Sequence, residues 1–221
     1  MRMHHSSIDE AVERLIAQVN SARSRRLIAL AGIPGSGKTT LASELSRRVN
    51  EYFNTPVMVN LGMDGFHLSK AQLNTLPDPQ QALARRGAPW TFDPHLMSCH
   101  LQRLKDSYEA AVCDWPGFEH DIGDPVDAAH QVPADCRLVL VEGLYLLYSD
   151  HGWSAVGNCF DERWYFDVPI EVAMERLCQR HMRAWGMSRQ QALVQIAGND
   201  RLNAELVLPS SQSADWVLKD D

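Results

Sequence analysis

Residues 32–40 read GIPGSGKTT and follow directly on the apolar run Leu27-Ile28-Ala29-Leu30-Ala31. The spacing Gly32-x4-Gly37-Lys38-Thr39 fits the pattern G-x-x-x-x-G-K-[ST], in which glycines let the backbone curl its amides around phosphate oxygens. The N–H groups of Gly35, Ser36, Gly37, Lys38 and Thr39 are expected to form that nest, bounded by Gly32 and Thr40. Lys38 would reach the β- and γ-phosphates, and the Thr39 hydroxyl would ligate Mg2+. A nucleoside triphosphate site follows from this, but not yet a reaction.

Two carboxylates narrow the chemistry. Asp64 ends the stretch VMVNLGMD and Glu142 ends RLVLVE. In an open α/β sheet the ligand crevice lies beyond the carboxyl ends of the strands, so both acids are expected beside the phosphate loop. Phosphoryl transfer to an alcohol needs one acid to accept or align the hydroxyl proton and another near the metal. Asp64 is read as the base and Glu142 as the acid near Mg2+, acting through water; a partial exchange of these roles stays open.

The elements that must hold these groups are legible as a rhythm. Strand-like apolar runs recur at Leu27–Ala31, Val57–Met63, Leu138–Val141, Trp164–Val168 and Trp216–Leu218. Several are apolar on both faces, as buried parallel strands are. Between them lie helical patterns: one opened by the capping pair Ser7 and Glu10, one from Lys38 to about Phe53, one opened by Asp93-Pro94, and one over Ile170–Trp185. This alternation predicts an α/β fold, a doubly wound and mostly parallel sheet in a single domain over 1–221. Residues of about 69–136 break the rhythm and are too long for a plain crossover, so they are read as a substrate-binding insert.

That insert carries Trp90, Phe92, Trp115 and Phe118 as rigid apolar walls. Arg86, Asp93, His120, Asp121 and Asp124 stand beside them as polar groups, a mixture suited to a small polyhydroxylated or heterocyclic ligand. Further on, Arg176, Arg180 and Arg183 recur at i, i+4 and i+7 of the Ile170–Trp185 helix. None has an acid three or four positions earlier, so the row is expected to receive an anion from elsewhere.

Composition sets the outer bounds. The chain has 221 residues, is 45% hydrophobic, and carries a formal charge of −7. No general positive field favours nucleic acid or an anionic membrane, and no stretch approaches the roughly 20 apolar residues of a membrane span. Five widely spaced cysteines without a C-x-x-C pair argue against a disulfide framework and a zinc site, so a reducing cytoplasm is expected. The amino-terminal residues lack the apolar core of a secretory signal.

In their order, GIPGSGKTT, MDGFHLS, RRGAPWTFD, PGFEHDIGDPV, VEGLYLL and ERLCQRHMRAWG resemble the uridine kinase, phosphoribulokinase and bacterial pantothenate kinase superfamily. The resemblance runs from about residue 27 to 203 and is most similar to the small bacterial branch labelled nucleoside kinase-like or fructose transport system kinase. It implies an ATP- and Mg2+-dependent transfer of phosphate to a hydroxyl of a sugar such as fructose, a nucleoside or a related polyol. It further implies that Asp64 is the base, that His67 contacts the acceptor, and that the RRGAPWTFD segment helps build the acceptor pocket. In that family the helix over Ile170–Trp185 leads into a lid, which implies a lid over about 176–200 with WGMSRQQA at its tip, closing to exclude water. A lid arginine, chiefly Arg180 with Arg176 and Arg183 as alternatives, would cover the transferred phosphate. Trp90 stands where pantothenate kinases typically carry glutamate, which counts against pantothenate itself; a kinase acting on a pantothenate-like acceptor is an alternative. So is a nucleotide-binding regulatory protein on the same scaffold. A switch GTPase is disfavoured because NDRLNAE lacks the guanine-reading pattern. The expected partner is a small hydroxyl-bearing substrate, with a homodimer left open.

Overall fold

The computed structural model describes residues 5–119 and 121–220; His120, read above as a polar group of the insert, lies outside them. In chain order the elements are β1 (His5–Ser6), α1 (Ile8–Ser21), β2 (Arg26–Ala31), α2 (Lys38–Phe53) and β3 (Met58–Gly62), followed by a 3-10 turn over Met63–Phe66. Then come α3 (Lys70–Leu73), α4 (Pro79–Ala84), α5 (Pro94–Asp106), β4 (Cys113–Glu119), β5 (Asp124–Val132) and β6 (Leu138–Gly143). The chain continues through α6 (Trp153–Gly157), β7 (Glu162–Asp167), α7 (Ile170–Trp185), α8 (Arg189–Gln195), α9 (Arg201–Val207) and β8 (Trp216–Lys219).

Six strands form one sheet in the order β1-β8-β7-β2-β6-β3, and every neighbouring pair is parallel. The central strands β2 and β6 bury nearly every residue because helices cover both faces, which is why they read as unbroken apolar runs. Helix α1 begins as its residues foretold. The Ser7 side chain accepts from Glu10 N, and the Glu10 carboxylate accepts from Ser7 N, closing a capping box. Asp93 caps α5 by accepting from Leu96 N at 2.8 Å, with Pro94 in the first turn.

Between β3 and β6 the chain does two things. Helix α5 turns Met97, Leu101 and Leu104 into the main core and so serves as a crossover helix. The antiparallel hairpin β4–β5 instead folds over the 3-10 turn, with a register shift between Trp115 and Gly117. Trp115, expected as a pocket wall, is fully buried and donates its indole N–H to Gly62 O at 2.9 Å, because the hairpin presses it against the end of β3. A second buried anchor is Arg25. Its guanidinium donates to Cys136 O, Leu104 O, Ser107 Oγ, Pro133 O and Ala134 O at 2.6–3.0 Å, tying α5 to the chain leading into β6. No helix among the described residues is long and apolar enough to cross a membrane.

Candidate active site

The loop between β2 and α2 is shaped by two left-handed glycines, Gly35 at φ +77° and Gly37 at φ +91°. A Cβ on Gly35 would lie 2.3 Å from the Ala173 carbonyl oxygen and 2.7 Å from Leu177 Cγ, so the loop seats directly against α7. Gly37 caps α2 without a side chain, leaving the first amides of that helix for an anion. The Ser36 hydroxyl is buried without a hydrogen-bond partner among the described residues.

Lys38 folds back over this loop, its Nζ 3.5 Å from Ile33 O. Burial lowers its pKa more than the attraction of Glu142 and Asp64 raises it, and Arg180 lowers it further. An anion arriving in the nest would relieve that cost. Thr39 Oγ1 donates to Glu142 Oε1 at 2.9 Å. Burial pushes the Glu142 carboxyl above its usual range, assisted by the like charge of Asp64 and opposed by Lys38 and the Thr39 hydrogen bond.

Asp64 stands not at the end of β3 but one residue into the 3-10 turn that follows. Gly62 pairs with Glu142 in the β3–β6 register, so Asp64 lies just beyond the rung that carries the other acid. The turn is compelled by packing, since a Cβ on Gly65 would sit 2.2 Å from Pro116 O in the hairpin. His67, three residues on, donates from Nδ1 to Asp64 O at 2.8 Å and packs at a tilt against Phe92 and Phe118 with centroids 3.9 and 4.8 Å apart.

These groups meet in one cleft of about 200 Å³. Pro34, Gly35, Lys38, Thr39, Asp64, Glu142 and Arg180 line it, together with His67, Gly87, Phe92, Asn199, Asp200 and Asn203. Arg180 makes no hydrogen bond or ion pair among the described residues. It also borders an adjoining cavity of about 310 Å³ above the loop, shared with Arg176, Arg183, Gly37, Thr39 and Thr40.

Other expected site residues are held elsewhere. Arg86 donates to Gly123 O, to Leu68 O at 2.9 Å and to Asp124 Oδ1 at 2.7 Å, with its guanidinium over Phe118. Asp124 also accepts from Lys70 N at 2.8 Å. The two therefore stitch the loop at residue 86 to the hairpin. Trp90 is half-buried outside the cleft lining, and Asp93 is engaged as the α5 cap. Arg176, expected to lack an acid, is ion-paired with Asp220 and donates to Ser36 O at 3.1 Å. That acid follows β8, the strand beside β7, and lies 44 positions further along the chain, beyond any helix-spacing rule. Together Arg176 and Asp220 border a third cavity of about 380 Å³, with Ile8, Leu41 and Phe166 as apolar walls.

Residues 199–203 are the lining group that motif reading missed. Asn199 Nδ2 donates to Arg86 O and Asn203 Nδ2 to Gly87 O, while Arg85 donates back to both amide oxygens at 3.1–3.2 Å. Tyr145, fully buried, adds a 2.6 Å hydrogen bond to Gly87 O. Polar residues at i, i+1 and i+4 inside an amphipathic helix were the available signal.

A parallel sheet with a phosphate-binding loop after its central strand, Glu142 near the end of the adjoining β6 and Asp64 just past β3 defines an α/β P-loop kinase fold. The chain belongs to the phosphoribulokinase / uridine kinase family, whose model matches residues 27–220. It is 35% identical over 216 residues to a Schizosaccharomyces pombe protein named provisionally as uridine kinase C227.14, covering 97% of this chain and 91% of the relative. It is 31% identical over 202 residues to the uncharacterised protein YggC of Escherichia coli, covering 91% of this chain and 81% of the relative. Among solved structures it is similar to one from Silicibacter sp. TM1040 named provisionally as a fructose transport system kinase. The TM-score there is 0.82 at 28% identity, over 98% of this chain and 100% of that one.

Proposed function

We propose that this protein transfers the γ-phosphoryl group of ATP to a hydroxyl of a small metabolite, a sugar such as fructose, a nucleoside or a related polyol. The observation that carries the reading is the opposition, within one cleft, of the Lys38 phosphate loop and the Asp64 carboxylate. A triphosphate tail lying on the Gly35–Thr39 amides would extend its last phosphate between Lys38 and Arg180, whose charges match those developing in transfer. Asp64, exposed and without a side-chain hydrogen bond, is the group left to align the acceptor hydroxyl and receive its proton. His67 and Phe92 form the apolar wall on which the acceptor rests.

Thr39 Oγ1 and Glu142 Oε1, already 2.9 Å apart, offer the all-oxygen donor set that a hard divalent cation takes. Mg2+ held there would neutralise phosphate charge, with Glu142 acting through water. The third cavity, walled by Ile8, Leu41 and Phe166, suits the base of the nucleotide. Five free thiols fit a reducing cytoplasm.

The test is ADP release with ATP and Mg2+ against sugars, alditols, nucleosides and vitamin precursors, with the phosphorylated product identified by mass. One acceptor that raises ADP release well above the acceptor-free rate and gains a phosphate supports the reading. Tight ATP binding with no acceptor-dependent ADP release across the panel overturns it.

A further inference from the structure

Residues 189–207 form one continuous helix in which α8 and α9 are joined by a π turn, Ile196–Asp200. Its inward stripe runs through Ala192, Ile196, Asn203, Ala204 and Val207, all buried, with Asn199 and Asp200 half-buried at the centre. Three polar side chains thus stand where packing alone calls for apolar ones. Two are accounted for, since Asn199 and Asn203 exchange hydrogen bonds with Arg85 and the carbonyls of residues 86 and 87.

Asp200 is not accounted for in that way. Asp200 lines the same cleft as Asp64, and no other residue among the described residues donates a hydrogen bond to its carboxylate. Burial pushes its pKa up against the pull of His181 and Arg180. The neighbouring His181 ring is buried with its Nδ1 unpartnered. A widened helical turn is itself a feature that recurs at functional sites, because it re-aims side chains that a regular helix would turn elsewhere.

We propose that Asp200 is an acceptor-binding residue that receives the hydrogen bond of a hydroxyl other than the one phosphorylated, making the acceptor a small neutral polyol or sugar. This rests on the phosphotransferase reading and narrows it. An ammonium group at Asp200 would face the cations of Lys38 and Arg180, and an anionic group would meet Asp64, Glu142 and Asp200 together. Size points the same way. A cleft of about 200 Å³ beside the phosphate loop suits a compact acceptor, of roughly six carbons or fewer, better than a nucleoside.

The experiment compares the wild-type chain, Asp200→Asn and Asp64→Asn with ATP, Mg2+ and sugars and alditols of three to six carbons, together with their single-deoxy analogues, monohydric alcohols and amino alcohols. Acceptor turnover is read by ADP release, acceptor binding to the ATP complex by calorimetry, and folding by thermal melting. Asp200→Asn should raise the acceptor KM by about tenfold or more, leave the ATP KM unchanged and the melting temperature at or above that of wild type, and erase the wild-type preference for the full polyol over its deoxy analogue. An acceptor KM within twofold of wild type overturns the proposal, as does equal damage to kcat and the ATP KM, which would mean action through Arg180. Turnover of only monohydric alcohols or amino alcohols overturns it too. Polyol binding weakened by Asp200→Asn but unaccompanied by any ADP release would sustain the Asp200 assignment while sinking the kinase reading. Absence of both binding and turnover sinks both.

Discussion

Three glycine-to-alanine variants separate the two reasons a glycine can be required, and Gly35 is where both apply. At Gly186, which ends α7 with φ +63°, no atom lies within 4 Å of an added Cβ, so alanine pays only for its left-handed backbone. That cost is about 1–2 kcal/mol. At Gly35, φ is +77° and the new Cβ would lie 2.3 Å from a backbone oxygen of α7, which cannot rotate away. Overpacking of this kind adds about 1–3 kcal/mol, making roughly 2–5 kcal/mol in all. At about 2–4 °C per kcal/mol for a chain of this size, Gly35→Ala should melt roughly 4–20 °C lower than wild type and Gly186→Ala roughly 2–8 °C lower. Gly198 has neither constraint, so Gly198→Ala should match the wild type or gain about 0.5–1 kcal/mol. Thermal melting ranks the three, and a fluorescent ATP analogue reports the loop. Gly35→Ala should also weaken nucleotide binding, because the shift needed to clear α7 displaces the amides of the nest. A Gly35→Ala protein that melts no lower than Gly186→Ala would refute the seating of the loop on α7.

Asp64→Asn should lower kcat by about 10²–10⁴-fold in the ADP-release assay while ATP binding and melting temperature stay near wild type, since the side chain is exposed and makes no hydrogen bond; turnover within threefold of wild type would remove Asp64 from the chemistry. Glu142 has a folded pKa above its ordinary 4.5, so its contribution to stability is fully present below that value and is lost as pH rises through the folded pKa. Glu142→Gln should therefore gain stability relative to wild type as pH rises from about 4.5 towards neutrality, measured by urea midpoints, while losing metal-dependent turnover; a pH-independent difference contradicts this. Arg25→Ala removes the guanidinium that joins Cys136 O, Leu104 O, Pro133 O and Ala134 O and leaves Cys136 O without its donor, so it should cost about 2 kcal/mol or more in urea denaturation, with less than 1 kcal/mol counting against the anchoring role.

What the residue order disclosed was local. The nest at Gly35–Thr39 follows from glycine spacing after an apolar run, and Glu142 sits at the end of β6 because a buried parallel strand is recognisable by composition alone. The α7 span and both the Ser7 and Asp93 caps were readable for the same reason: capping and amphipathic periodicity act within a few residues. What stayed hidden depends on partners far along the chain. Nothing near Arg176 announces Asp220, and nothing near Arg86 announces that Asp124 and the Gly123 carbonyl will occupy its guanidinium. Trp115 looked like a pocket wall because an aromatic in an irregular stretch carries no mark of which neighbour will cover it. Asn199, Asp200 and Asn203 escaped because their environment is created by residues 85–87, more than a hundred positions earlier. The two-residue strand β1 is too short for any periodic signal.

That strand has a mechanical corollary. It pairs with β8 through His5–Val217 and Ser6–Leu218, forming the margin of the sheet where fraying begins. Just inward of it, Ile8 and Asp220 both line the cavity proposed above for the base. Anything lodged there would bridge the first helix and the last strand like a rivet, so occupancy should slow amide exchange at both ends of the chain at once.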